Sequence, residues 1–185
     1  MKNTYLTSYF PLLSILLFSL SLAIGVEIPL LAFLKKTGVY DGMLGFFSES
    51  GVKLSLLALL VVLFFMVFAA LKIVADTINE LSLLFFSMET DGESLKKVRT
   101  GPMIFMAGAA VSLLSFQNVV IIGGIFILTA LIYFIYFVYK VSSALSSSGL
   151  IGMIFFQVLS WSFLILGVVY LAIKVYNSIM ASLPV

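Results

Sequence analysis

Glu27 is the only acid inside a predominantly apolar run of this 185-residue chain, and it lies between Gly25 and Pro29. An ionisable group in hydrocarbon is costly and by default marks function. A titratable carboxylate beside a break in a helix is what a gated proton or cation site requires. Depth argues for a plainer role. Glu27 follows Tyr9 by 18 residues, which is about 27 Å along a helix axis. That is near the far membrane surface, where a carboxylate reaches water or a basic partner. Lys53 and Lys174 fall at the same surface by the same reckoning, whereas Lys72 and Lys140 fall at the opposite one. A structural ion pair of Glu27 with Lys53 or Lys174 is expected, with the first and last membrane helices as neighbours.

The last apolar run carries a second polar line. Ser160, Gly167 and Lys174 recur every seven residues, Tyr170 lies close to the same face, and Gln157 and Trp161 adjoin its top. This face is expected to look into a helix bundle, where small residues allow close approach and polar ones bond across helices. Ser21 with Gly25, and Gly108 with Ser112, are small-residue pairs one turn apart with the same use. Lys72, Asp76 and Glu80 recur at four-residue spacing. Here a Lys72 snorkelling at the membrane edge and paired to Asp76 is expected. Tyr133, Tyr136 and Lys140 read as an interfacial anchor. Lys96, Lys97 and Arg99 form a candidate cytoplasmic docking patch for a partner or anionic lipid. Local pairing with Glu93 is the simpler account of them.

Other chemistry is absent from the sequence. There is no Cys and no His, so thiolate nucleophiles, Cys-ligated metals, imidazole bases and a neutral-pH switch are out. No Gly-x-Ser-x-Gly motif and no paired intramembrane acids stand in for them. An enzyme is not expected, nor a cofactor or metal. The net charge of +2 is too small for a nucleic-acid partner.

The elements that must carry these residues are membrane helices. The chain is 63% hydrophobic and 10% charged, against about 45–50% and about 25% in soluble domains. The predicted fold is all-α, a single polytopic bundle over 1–185. A crossing helix needs about 20 apolar residues. Five spans are expected: 9–34, 53–75, 101–118, 119–141 and 150–180. The first should kink or break at Pro29, which cannot donate to the carbonyl of Gly25. A signal peptide cleaved near Gly25 is the alternative for that segment; its start at Tyr9 and the four spans after it favour an uncleaved helix. The second span should continue as an amphipathic helix through 76–88, because Ile78, Leu81, Leu84, Phe85 and Met88 share a face. The third is short and either crosses a thinned bilayer or is re-entrant. The fourth follows it closely enough to form a tight hairpin.

Among the connections, Tyr40, Met43, Leu44 and Phe47 have helical spacing and predict a short interfacial helix, with a re-entrant lip as the alternative. Residues 89–100 form the one substantial polar connection. The serine-rich stretch 142–149 reads as a flexible linker. Counted over short loops, the bases place the N-terminus and the polar connection in the cytoplasm.

The whole chain resembles the YufK-like family of small uncharacterised multi-pass membrane proteins of Bacillus and related bacteria. The resemblance rests on size, on the span pattern, on the opening Met1–Phe10 followed by Pro11, and on Glu27-Ile28-Pro29. It implies the bacterial cytoplasmic membrane and assigns no role to any residue. Two classes of function are carried forward. One is a structural or accessory subunit that acts through a membrane-protein partner or as a homo-oligomer. The other is a small oligomeric transporter or channel for a cation or small solute, using Glu27 and the polar face of the fifth helix.

Overall fold

A computed structural model describes residues 9–88, 98–116 and 118–182. The described residues form an all-α bundle of six helices and two 3-10 turns. They are α1 (Phe10–Lys36), α2 (Val39–Leu44), α3 (Glu49–Phe86), α4 (Pro102–Ser112), α5 (Val119–Val141) and α6 (Ser147–Ser182). The 3-10 turns Leu113–Ser115 and Ser142–Ala144 extend α4 and α5. Four helices, α1, α3, α5 and α6, are long and apolar enough to cross a membrane. The third expected span is shorter, an apolar helix over Pro102–Ser115.

Local chemistry sets the helix ends. α1 has Pro11 in its first turn, where a missing N–H is harmless. It runs unbroken through Pro29 to Lys36, so of the kink or break expected there, a break does not occur. Membrane helices tolerate such a proline when neighbouring groups take up the freed carbonyl. Thr37 then donates its hydroxyl to the carbonyls of Phe33 and Leu34, each at 3.1 Å. Gly38 follows at φ 74°, the left-handed turn that leads into α2.

α3 starts at Ser48, whose Oγ accepts from the Gly51 amide at 3.2 Å. It continues for 38 residues, because no Gly or Pro falls between Val52 and Phe86. The predicted extension past Asp76 is present. The helix stops when Ser87 turns extended and pairs with Leu145, and Met88 donates to the Ala144 carbonyl at 3.2 Å. The turn signal at Asp91-Gly92 lies outside the described residues. α5 begins at Asn118, whose side chain accepts from the amides of Val120 and Ile121. The stretch read as a flexible linker is instead ordered by its serines. Ser142 donates to the Tyr139 carbonyl at 2.9 Å, and Ser146 accepts from the Gly149 amide at 3.0 Å to open α6.

α1 packs antiparallel on α3 and also against α4, α4 pairs with α5, and α6 packs along α3. Ala23, Leu56 and Leu60 form one buried cluster between α1 and α3. Leu83, Val98, Phe137, Val141 and Met153 form another where α3, α5 and α6 meet. Phe18, Phe68 and Phe126 lie between them, with ring centroids 5.0–5.7 Å apart. The small-residue pairs do what their type allows. Ser21 donates to the Ser112 carbonyl at 2.7 Å, and a Cβ on Gly25 would meet the Phe116 carbonyl oxygen at 2.8 Å.

Candidate functional site

A cluster of hydrogen-bonded polar side chains lies where α3, α5 and α6 meet. Gln157 of α6 is 2% exposed. Its side-chain amide donates to Asn79 Oδ1 at 3.0 Å and to Ser82 Oγ at 3.1 Å. Asn79 Nδ2 in turn approaches the Tyr133 hydroxyl of α5 at 3.4 Å, and Ser82 donates back to the Asn79 carbonyl at 2.8 Å. Asn79 and Ser82 face the same neighbours because they lie almost one turn apart on α3. Asp76, a turn before Asn79, belongs to the electrostatic surroundings of Tyr133 and is ion-paired to Lys72.

Donors and acceptors in this cluster are matched to one another, which is how polar side chains fasten membrane helices. At the same end, the Tyr136 hydroxyl and Thr100 Oγ1 are 2.5 Å apart, and the Lys140 ammonium sits 5.7 Å from the Tyr136 ring centre. Tyr133 and Tyr136 of α5 are thus tied to α3 and to Thr100, which lies just before α4. An apolar surface groove is lined by Phe134, Ile135, Val138, Tyr139, Ser142 and Ile154.

The opposite end of the bundle holds Glu27. It is half-buried and makes no hydrogen bond or ion pair among the described residues. Lys53 lies within its electrostatic reach but is ion-paired to Glu49 at 2.8 Å. Lys174 stands exposed on α6, which packs along α3 rather than along α1. The expected neighbourhood of first and last helices is therefore absent, and with it a Glu27–Lys174 pair within one chain. Nearby, Tyr40 of α2 is 5% exposed, its ring under the Lys35 ammonium at 4.8 Å, and its buried hydroxyl has no partner among the described residues.

The polar face predicted for the fifth span is divided. Gln157 points into the bundle and Ser160 and Trp161 are half-buried, but Tyr170 is 65% exposed. From Ser162 to Ser178 every residue of α6 is exposed. The helix leaves the bundle after Trp161, so heptad spacing marks a shared face with nothing opposite it. In the docking patch, Arg99 is exposed beside the buried Val98, and Lys96 and Lys97 lie outside the described residues.

Sequence reasoning missed Asn79 and Ser82. Both sit on the amphipathic extension of α3, where polar residues read as facing water. Their signal was position: Ser82 lies one turn after the apolar Ile78 and one residue before Leu83, all three buried on the packed side.

Residues 27–184 match the model of a family of unknown function, DUF5366. The chain is 49% identical to the uncharacterized membrane protein YufK of Bacillus subtilis (strain 168), over all of both chains. No solved structure matches. The resemblance read from the opening segment and from Glu27-Ile28-Pro29 is borne out, and this integral membrane protein belongs to the DUF5366 family.

Proposed function

We propose that this protein is a structural or accessory subunit of the bacterial cytoplasmic membrane that acts by packing against other membrane proteins. One observation carries the reading. The second half of α6, Ser162–Ser178, stands away from the bundle and is exposed on every side. Seventeen residues make an arm about 25 Å long, close to the depth of the hydrocarbon. Its first half is anchored through Gln157 and the buried Met153. A rigidly rooted helix with a free apolar half is suited to helix–helix association in lipid, which rests on packing and a few interhelical hydrogen bonds.

The transport reading needs Glu27 and the polar face of α6 on one path. Glu27 lies on α1, Gln157 is closed off by Asn79 and Ser82, and Tyr170 and Lys174 point outward. Purification in native lipid tests the proposal. A stoichiometric membrane protein that is retained by the full chain, and lost when α6 is cut after Trp161, is expected. Ion or solute flux by the purified protein alone in liposomes would overturn it.

A further inference from the structure

We propose that α3 is the seam of a parallel homodimer, in which the Lys72–Asp76 pair of one copy meets the same pair of a second copy across a two-fold axis along the membrane normal. Asn79, one turn after Asp76 on α3, bonds to the Tyr133 hydroxyl at 3.4 Å, and Asp76 itself contributes to the surroundings of Tyr133. Tyr133 lies about 10 Å inside the level of Lys140 and about 21 Å from Val119, at 1.5 Å per residue. The ion pair therefore runs alongside the interior of α5, whose stretch Val119–Tyr139 carries no charge. It is not at the membrane edge, where spacing alone had put it.

At that depth a charged pair normally faces a bundle interior or a water-filled cavity. Here the side chains of Lys72 and Asp76 are 35% and 47% exposed on the outside of the bundle. Among the described residues, no element of the same chain covers them.

The same side of α3 is uncovered along much of its length. Leu59, Val62, Met66, Ala69, Ile73 and Asp76 alternate at spacings of three and four, the pattern of a left-handed helix pair. Leu59, Val62, Met66 and Ile73 are 57–67% exposed. A shallow groove runs between Leu59, Val62, Leu63, Met66 and Val67. Ala69, just below the ion pair, lets two backbones approach there.

Charge selects the occupant. Lys72 and Asp76 are one turn apart on α3, and a lysine side chain spans about one helical turn. In a parallel two-fold arrangement each Lys72 reaches its own Asp76 and that of the other copy, so the stripe complements itself. Glu80 continues the line one turn nearer the surface.

The chain has no cysteine, so single cysteines report contacts without background. Met66→Cys and Ile73→Cys should each give a disulfide-linked dimer on oxidation in native membranes. Ile127→Cys on α5 and Phe163→Cys on α6, 62% and 68% exposed, should not, because a disulfide needs Cα atoms within about 7 Å. Differently tagged Lys72→Glu and Asp76→Lys chains should be monomeric alone and form a mixed dimer when co-expressed. Absence of seam-specific cross-linking, or dimers of each charge variant alone as abundant as the mixed dimer, would overturn the proposal.

Discussion

Gln157 and Asn79 are joined by a 3.0 Å hydrogen bond between α6 and α3. It ties the last helix to the longest one beside an apolar cluster that excludes water. The same amide also reaches Ser82. Replacing Gln157 by Leu keeps the volume and strands two polar partners. A loss of about 1–2 kcal/mol is expected for an interhelical bond in lipid, read as a lower thermal midpoint in detergent. Asn79→Leu combined with it should lose less than the sum of the two single losses. Strict additivity would show that the two side chains do not act together.

Tyr40 predicts the opposite sign. Its hydroxyl is buried and without a partner among the described residues, and an unmet polar group costs about 1–3 kcal/mol. Tyr40→Phe should leave the thermal midpoint unchanged or raise it. A clear drop would reveal a hydrogen bond made by that hydroxyl in the membrane.

Gly108 tests how closely α4 and α5 approach. A Cβ there would lie 2.1 Å from Thr129 Oγ1, so Gly108→Ala should destabilise by about 1–3 kcal/mol, as overpacking does. Thr129→Ala should restore most of the loss by removing the opposing atoms. Failure of the rescue would mean that the helices are held apart by other contacts.

Part of this fold was legible in the chain. α5 has the bounds of the fourth expected span, 119–141, because an unbroken apolar run decides a helix locally; the cap at Asn118 was not read from the sequence. The continuation of α3 past Asp76 was legible in its lack of Gly and Pro and in the persisting apolar face. Close helix approach at Ser21, Gly25, Gly108 and Ser112 was legible as small residues one turn apart, but that Ser21 would meet Ser112 was not. The failures share a cause. Depth along a helix is a local quantity and put Glu27 near Lys53, but the lateral order of helices is not local, so Lys174 was assigned to the wrong neighbour. Periodicity showed that Ser160, Gly167 and Lys174 share a face. It could not show that α6 leaves the bundle after Trp161.

Orientation gives a further prediction. Bases at the end where α3 stops and α6 starts include Lys140 and Arg99, and short basic loops remain in the cytoplasm. α6 should then finish outside. A reporter that fluoresces only in the cytoplasm, fused after Val185, should stay dark, and bright cells would reverse the orientation.

The most direct measurement of the proposed role is site-specific photocrosslinking along α6 in living cells. A photoreactive residue at Leu166 or Tyr170, 66% and 65% exposed, should yield one discrete protein adduct, while one at the buried Met153 should react only within the chain. Adducts to lipid alone at both exposed positions would contradict an arm that binds a protein.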